Sequence, residues 1–274
     1  MKLTRNMPKK IILYLFLAVL LVIYIYPIYY VVNTSLKTQQ DFLANPIGFT
    51  KTFAFENFKL AWENANFETY IWNSIFYTTI CTGINILMAI FLAFPVARKY
   101  FKFSGLIVTM FVSTLFLPDA TIPRFQMFLR MNIYNTRLGY ILWMLGVNGI
   151  ALMFFVSYVR GIPKDFDEAA AIDGCSYIRY IVKIIIPMMK PAIASMAILN
   201  AINIWNDIIG ATIILRNDKL LPITRGLLNF SGSYSVNWTQ LTAAMLIVAL
   251  PLIIVYVFTQ KYIIESVVAS GLKG

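Results

Sequence analysis

The sequence has no histidine, and Asp, Glu, Lys and Arg make up only 13% of its 274 residues. A soluble globular domain carries about 25% charged and about 45–50% apolar residues. Here the hydrophobic share is 59% and the mean hydropathy is +0.72. That balance excludes a disordered chain, a soluble nucleic-acid binder and most soluble enzymes. Two cysteines, Cys81 and Cys175, stand far apart. They offer neither metal-ligand spacing nor a disulfide framework. Without histidine there is no imidazole base and no zinc site. No G-x-x-x-x-G-K-[ST] phosphate loop occurs either, so ATP hydrolysis of that kind is excluded.

What is present is apolar runs and basic charge. The net charge is +11, from 23 Lys and Arg against 12 Asp and Glu. In a soluble protein that would point to nucleic acid. In so apolar a chain it reads as basic residues decorating the cytoplasmic loops of a membrane protein. Ile11 to Val32 holds no charge. As a helix it spans about 33 Å, enough for the roughly 30 Å hydrocarbon core. Lys2, Arg5, Lys9 and Lys10 precede it. It is too long for a signal peptide and lacks a small-residue cleavage site, so a retained anchor is expected.

Six spans are expected, near residues 11–32, 70–97, 103–119, 138–158, 188–207 and 241–260. The third is short and ends at Pro118 and Pro123, as a plain turn or as a broken helix of an external gate. Six spans put both termini on one side. With that side cytoplasmic, 14 of the 23 basic residues lie inside and 9 in the outer loops, the favoured bias. Residues 33–69 mix charges of both signs with seven aromatics from Phe42 to Phe67, and read as a small folded external cap. No repeat or Gly/Ser linker interrupts the chain. Residues 1–274 therefore read as one all-α membrane domain. Tyr24, Tyr26, Tyr29, Tyr30, Trp72 and Trp143 stand near span ends, where such rings anchor at the interface.

The most informative segment is the loop 161–187. Asp165 can cap a short helix, and Glu168 three residues on can complete a capping box. Phe166 to Asp173 then makes about two turns. Gly174 can take the left-handed conformation that ends them. Ser176 can cap a second helix, Tyr177 to Ile186, which stops before Pro187. On pattern alone this could equally be an ordinary amphipathic loop at the interface.

The residues themselves say more. Glu168-Ala169-Ala170, then Asp173-Gly174, then Ile186-Pro187 with Pro191 beyond resembles the EAA loop of ABC importer permeases. Asn33 to Lys37, Phe67 to Ser74, Trp205-Asn206-Asp207 and the run from Gln260 to Gly274 resemble the carbohydrate-type, maltose-transporter-like members. Cys175 stands where Ala is common, Tyr180 where Phe is common, and Ser266 and Ser270 where Gly is usual. The resemblance implies a bacterial cell-membrane protein and a coupling helix that seats on an ATP-binding subunit. Glu168 would offer its charge to that partner or cap its own helix. The same resemblance implies an ATP-binding subunit dimer that holds ATP and Mg, with no cofactor in this chain. A second, homologous permease and an extracytoplasmic solute-binding protein, docked on the loops 33–69 and 209–240, complete the implied set, with membrane lipid around it and no nucleic acid. Implied solutes are sugars or oligosaccharides, with glycerol phosphate as the alternative in the same family.

Asn200, Asn203 and Asp207 sit at i, i+3 and i+7 of the fifth span, with Asn206 close in angle and Trp205 beside it. Polar residues in spans face the bundle interior or water. They fit pathway lining or substrate contact. Interhelical hydrogen bonding, or exposure of Asp207 at the outer interface, fits the spacing as well. Asn73, Ser74 and Asn85 on the second span fit structural bonding between helices. A six-span secondary transporter or channel would carry an inverted repeat or ionisable residues mid-span, and neither is evident. An intramembrane enzyme would need a metal or nucleophile constellation that the sequence does not offer.

Overall fold

The computed structural model describes residues 7–230 and 236–271, with side chains over 10–230 and 236–260. Lys2, Arg5 and Lys273 lie outside the described residues, as do the side chains of Lys9, Lys261, Ser266 and Ser270. The elements run α1 (Met7–Ser35), α2 (Gln39–Ala44), α3 (Glu56–Asn64), α4 (Phe67–Ala97), α5 (Ser104–Ser113), α6 (Thr121–Arg130), α7 (Arg137–Met144), α8 (Gly149–Arg160), α9 (Asp165–Ile172) and α10 (Tyr177–Tyr180). A π-helical turn, Ile181–Ile185, leads into α11 (Ile186–Met188) and α12 (Lys190–Trp205). Then follow α13 (Ile209–Ile214), α14 (Ile223–Gly226) and α15 (Trp238–Gly271). The chain forms two compact units, Met1–Glu68 with Gly226–Pro251, and Thr69–Arg225 with Leu252–Gly274.

In the first unit, none of the most apolar window of α1 is buried. A helix apolar on every face and uncovered by its own chain belongs in lipid or against another apolar surface. The segment after it is folded, as its aromatic content suggests. Lys37 is buried, and its ammonium donates to the carbonyls of Asn45 at 2.8 Å and Pro46 at 3.1 Å. Burial pushes its pKa down, and Asp41 partly opposes this. Asn57 donates to the Ser35 and Lys37 carbonyls, each at 2.8 Å. Asn33 donates to the Gly48 carbonyl and accepts from the Thr50 amide. Polar side chains thus pair the peptide groups that a non-helical stretch leaves open.

The core of the second unit joins α4, α8, α9, α10, the π turn and α12. It includes Ile90, Phe94, Leu152, Phe155, Ile181, Ile185 and Met189, each 1% exposed or less. Where α8 meets α5, a Cβ at Gly149 would strike the Phe111 carbonyl oxygen. Only glycine allows that approach.

Among the described residues, three helices are long and apolar enough to cross a membrane: Lys10–Ser35, Phe67–Ala97 and Trp238–Gln260. Two bent pairs add a crossing each if taken as one span. Arg137–Met144 with Gly149–Arg160 turns by 56°, and Tyr177–Met188 with Lys190–Trp205 by 85°. The expected third span, 103–119, is helical only over Ser104–Ser113. Ten residues of helix reach about 15 Å, half of a hydrocarbon core. The helix closes in turns at Thr114–Phe116, and Pro118 lies in the non-helical stretch before α6. The expected fourth span, 138–158, is split at Leu145–Asn148. The expected fifth, 188–207, is interrupted at Met189 and its helix ends at Trp205.

The break at Leu145–Asn148 is held by Asn85 of α4. Its amide donates to the Met144 carbonyl at 3.0 Å, and its oxygen accepts the Gly146 N–H at 2.9 Å. Asn148 then caps α8 by accepting from Ala151 at 2.7 Å. In apolar surroundings these groups have no water to turn to. Replacing Asn85 by Leu keeps the volume and strips both backbone groups of their partners. The expected loss of stability is about 2–4 kcal/mol, read from thermal unfolding in detergent.

At the end of α4, Lys99 has φ +58° and the Tyr100 N–H reaches the Pro95 carbonyl at 2.9 Å. Lys99 occupies the left-handed position where glycine is preferred. Lys99→Gly is expected to raise stability by about 0.5–1 kcal/mol, the relief of the left-handed strain less the extra chain entropy. The same melting measurement checks it.

Candidate coupling loop and pathway residues

The loop between α8 and α12 folds as helix, sharp turn and helix. Its first helix starts one position earlier than the sequence suggests. Lys164 holds the cap position and makes no side-chain cap bond, so Asp165 is the first helical residue rather than the cap. Asp165, Asp167 and Glu168 all fall in the first turn, where negative charge complements the helix dipole. The turn at the other end is a full Schellman closure. Gly174 has φ +64°, the Cys175 N–H reaches the Ala170 carbonyl at 2.9 Å, and the Gly174 N–H reaches that of Ala171 at 3.1 Å. A Cβ at Gly174 would meet nothing within 4 Å. The demand for glycine there comes from the backbone angle alone.

The second helix departs from expectation. Ser176 has an extended backbone but makes no cap bond with its side chain. The helix does not stop before Pro187. It widens into the π turn, whose closing Ile186 N–H reaches back to Ile181, and continues through Pro187 to Met188. Pro187 lacks the N–H that an α-turn would need and its ring crowds the turn before it, and a wider turn relieves both. The sharp bend comes later, at Met189.

Glu168, Ala169, Asp173, Gly174 and Pro187 are exposed, and of the helix only Ala170 is buried. Ile172 is 86% exposed. Behind this ledge lies a charged contact that the sequence pattern did not single out. Arg98, just past α4, places Nε 2.6 Å from Asp167 Oδ2. It donates from Nη2 to Asp167 Oδ1 at 3.1 Å and from Nη1 to the Ile162 carbonyl at 3.0 Å. The Tyr180 hydroxyl also donates to Asp167 Oδ1. Burial, and then the Asp167 carboxylate beside it, push the Tyr180 phenol far above its usual range. The partners are up to 69 residues apart, beyond any local pattern. The available signal was a basic residue at the end of one apolar span and an acidic one in the loop after α8.

The residues expected on one face of the fifth span separate. Asn200 accepts from Asn85 at 3.3 Å, between helices. Asn203 and Asn206 are exposed. Asp207 lies beyond the end of α12 at Trp205, so it shares no helical face with Asn200. Its carboxylate accepts from the Gly210 and Ala211 amides at 2.9 and 3.0 Å and from the Tyr140 hydroxyl at 3.0 Å. It closes the start of α13. Asn73 donates to the carbonyls of Lys219 and Leu221 and accepts from Arg137. Ser74 accepts from the Ile223 amide. Their type and place suggest bonding between helices; both mainly pair the backbone of the 219–223 segment, and the Arg137 contact of Asn73 joins α4 to α7. Trp143, read from sequence as an interfacial anchor, is buried, with the Arg124 guanidinium 4.0 Å from its ring centre.

Comparison with known proteins places this geometry. The arabinooligosaccharides transport system permease protein AraQ of Bacillus subtilis is 27% identical over 97% of this chain and 96% of its own length. The sulfoquinovosyl glycerol transport system permease protein SmoH of Agrobacterium fabrum is 26% identical over 94% of this chain and 92% of its own. In fold, the chain superposes with a TM-score of 0.83 on a chain of a bacterial ABC transporter involved in the import of the acidic polysaccharide alginate. That match covers 96% of this chain and 99% of the other at 23% identity. The model of the family described as binding-protein-dependent transport system inner membrane component matches residues 72–268. The chain therefore belongs to this family and is a multi-pass membrane permease of the ABC importer class.

Proposed function

We propose that this chain forms half of the translocation pathway of an importer for a sugar or oligosaccharide. A second, related permease supplies the other half. A separate pair of ATP-binding subunits holds ATP and Mg and supplies the energy, and an extracytoplasmic solute-binding protein delivers the solute. Both termini lie in the cytoplasm of a bacterial cell. The solute class rests on the transport systems of the full-length relatives.

The observation that carries the reading is the ledge formed by α9 and its glycine turn. It projects Glu168, Ala169, Asp173 and Gly174, and it holds Ile172 almost fully in the open. An isoleucine side chain is worth about 1.5–3 kcal/mol when fully buried. Placed on a short helix locked at its end, it suits a surface that another protein covers. The small Ala169 allows close approach, and Gly174 keeps the turn tight. In the pathway, Asn203 and Asn206 are the candidates for lining. Asn200 is bonded to Asn85, and Asp207 holds the backbone at the start of α13.

Two substitutions test the coupling assignment in the importer purified through a tag on this chain. Ile172→Asp is expected to lower the amount of co-purified ATP-binding subunit about tenfold or more, equivalent to about 1.4 kcal/mol or more of docking energy. Gly174→Ala adds about 1–2 kcal/mol of left-handed strain at the turn, and is expected to reduce transport several-fold while insertion into the membrane stays normal. Transport that continues in cells lacking every ATP-binding partner would overturn the reading. For the pathway, Asn203→Leu is expected to reduce solute flux while the complex still assembles and hydrolyses ATP. Binding of sugars against glycerol phosphate by the cognate solute-binding protein decides the solute class.

A further inference from the structure

The ledge has very little to hold it. Only one of the eight residues of α9, Ala170, is buried. A short helix with one small buried side chain has almost no apolar grip on the bundle. Yet a subunit pushing on it can move the spans only if the helix moves with them.

Asp167 supplies the missing grip. Its carboxylate faces Arg98 at the end of α4 with both oxygens and takes the Tyr180 hydroxyl of α10 as well. The Arg98 guanidinium also ties down the Ile162 carbonyl of the turn after α8. Arg98 is itself fixed. Its side chain is only 3% exposed, and its backbone sits in the closed turn that ends α4. Phe94, one turn earlier, packs its ring 5.6 Å from that of Tyr180 and 5.9 Å from the Arg98 guanidinium. The end of α4 and α10 thus meet on the one carboxylate that α9 supplies, and the same guanidinium reaches the turn after α8.

Net stability is a weak explanation for this arrangement. Well-packed apolar side chains in place of a buried ion pair are often as stable or more so. A guanidinium that bonds one carboxylate oxygen through Nη2 and lies against the other with Nε adds direction instead. We propose that Arg98, Asp167 and Tyr180 are positioning residues that lock α9 to the end of α4, so that the cytoplasmic ledge and this span move as one rigid body when the ATP-binding subunits close. This rests on the importer reading above. The established family membership assigns no role to these three side chains.

The test uses the full importer, purified with its co-purifying subunits and placed in lipid nanodiscs. Spin labels go on exposed sites on either side of the contact, Asp165→Cys on α9 and Lys102→Cys after α4, with Cys81→Ala and Cys175→Ala in the background. Their separation is measured nucleotide-free and with ATP and vanadate. The expected result is one unchanged separation in both states for otherwise native protein. In the apolar pair Arg98→Met with Asp167→Leu, the separation is expected to shift between states by about 2 Å or more, the scale of helix movements in such transitions. ATP hydrolysis is expected to persist in that variant. A merely structural contact would leave the separation state-independent in the variant too. Should the double variant fail to assemble, Asp167→Asn and Tyr180→Phe, which keep the shape, carry the same comparison. An unchanged separation in these variants, or a separation that already differs between states in the native protein, overturns the inference. Absence of any co-purifying ATP-binding subunit from native protein overturns the importer reading instead, and this inference with it.

Discussion

Peptide groups in an apolar surround must find partners within the chain, and this constraint organises the second unit. Its helices are repeatedly interrupted, at Leu145–Asn148, at Met189 and beyond Trp205. Each interruption frees carbonyls and amides that lipid cannot bond. Asn85, Asn148 and Asp207 answer two of these interruptions with side-chain amide or carboxylate groups. The polar side chains of the spans are therefore largely committed to backbone. What remains exposed, Asn203 and Asn206, stands out for that reason.

The same economy of contacts applies at the loop between α8 and α12, with a different solution. There the helix α9 ends in a left-handed glycine and buries one alanine. Burial of a methyl group is worth about 0.8 kcal/mol, far too little to orient a helix. A buried ion pair adds little net stability but holds a defined geometry. Arg98 and Asp167 supply that geometry, and the aromatic packing of Phe94 on Tyr180 surrounds it with apolar walls.

The parts legible in the sequence were those written in local pattern. The charge-free run Ile11–Val32 lies wholly inside a long helix, and the glycine turn at 174 closes as its spacing implied. Interruptions written in tertiary contacts were not legible. Nothing adjacent to Leu145 demands a break. It is tolerated because Asn85, about sixty residues earlier, is there to pair it. Pro187 misled for a related reason. Proline ends an ideal α-turn, but a π turn placed before it lets the helix run on. Asp207 misled because helical spacing was carried past the residue where the helix ends. The Arg98–Asp167 contact joins segments far apart in sequence, and from local pattern alone charge near a span end reads as topology.

The surfaces left uncovered follow from the same accounting. The chain spends many of its polar side chains on internal pairing and leaves apolar ones outward in many places, α1 and Ile172 among them. For α1 the cover is lipid or another apolar helix, since its exposed residues run around the whole cylinder. For Ile172 the cover must be local, because the neighbouring Asp173 and Gly174 are exposed and water-compatible. One isoleucine side chain is too small to drive membrane insertion, yet large enough to matter in a protein contact. The two exposures thus call for different surroundings, a broad apolar one along α1 and a narrow, shaped one at the ledge.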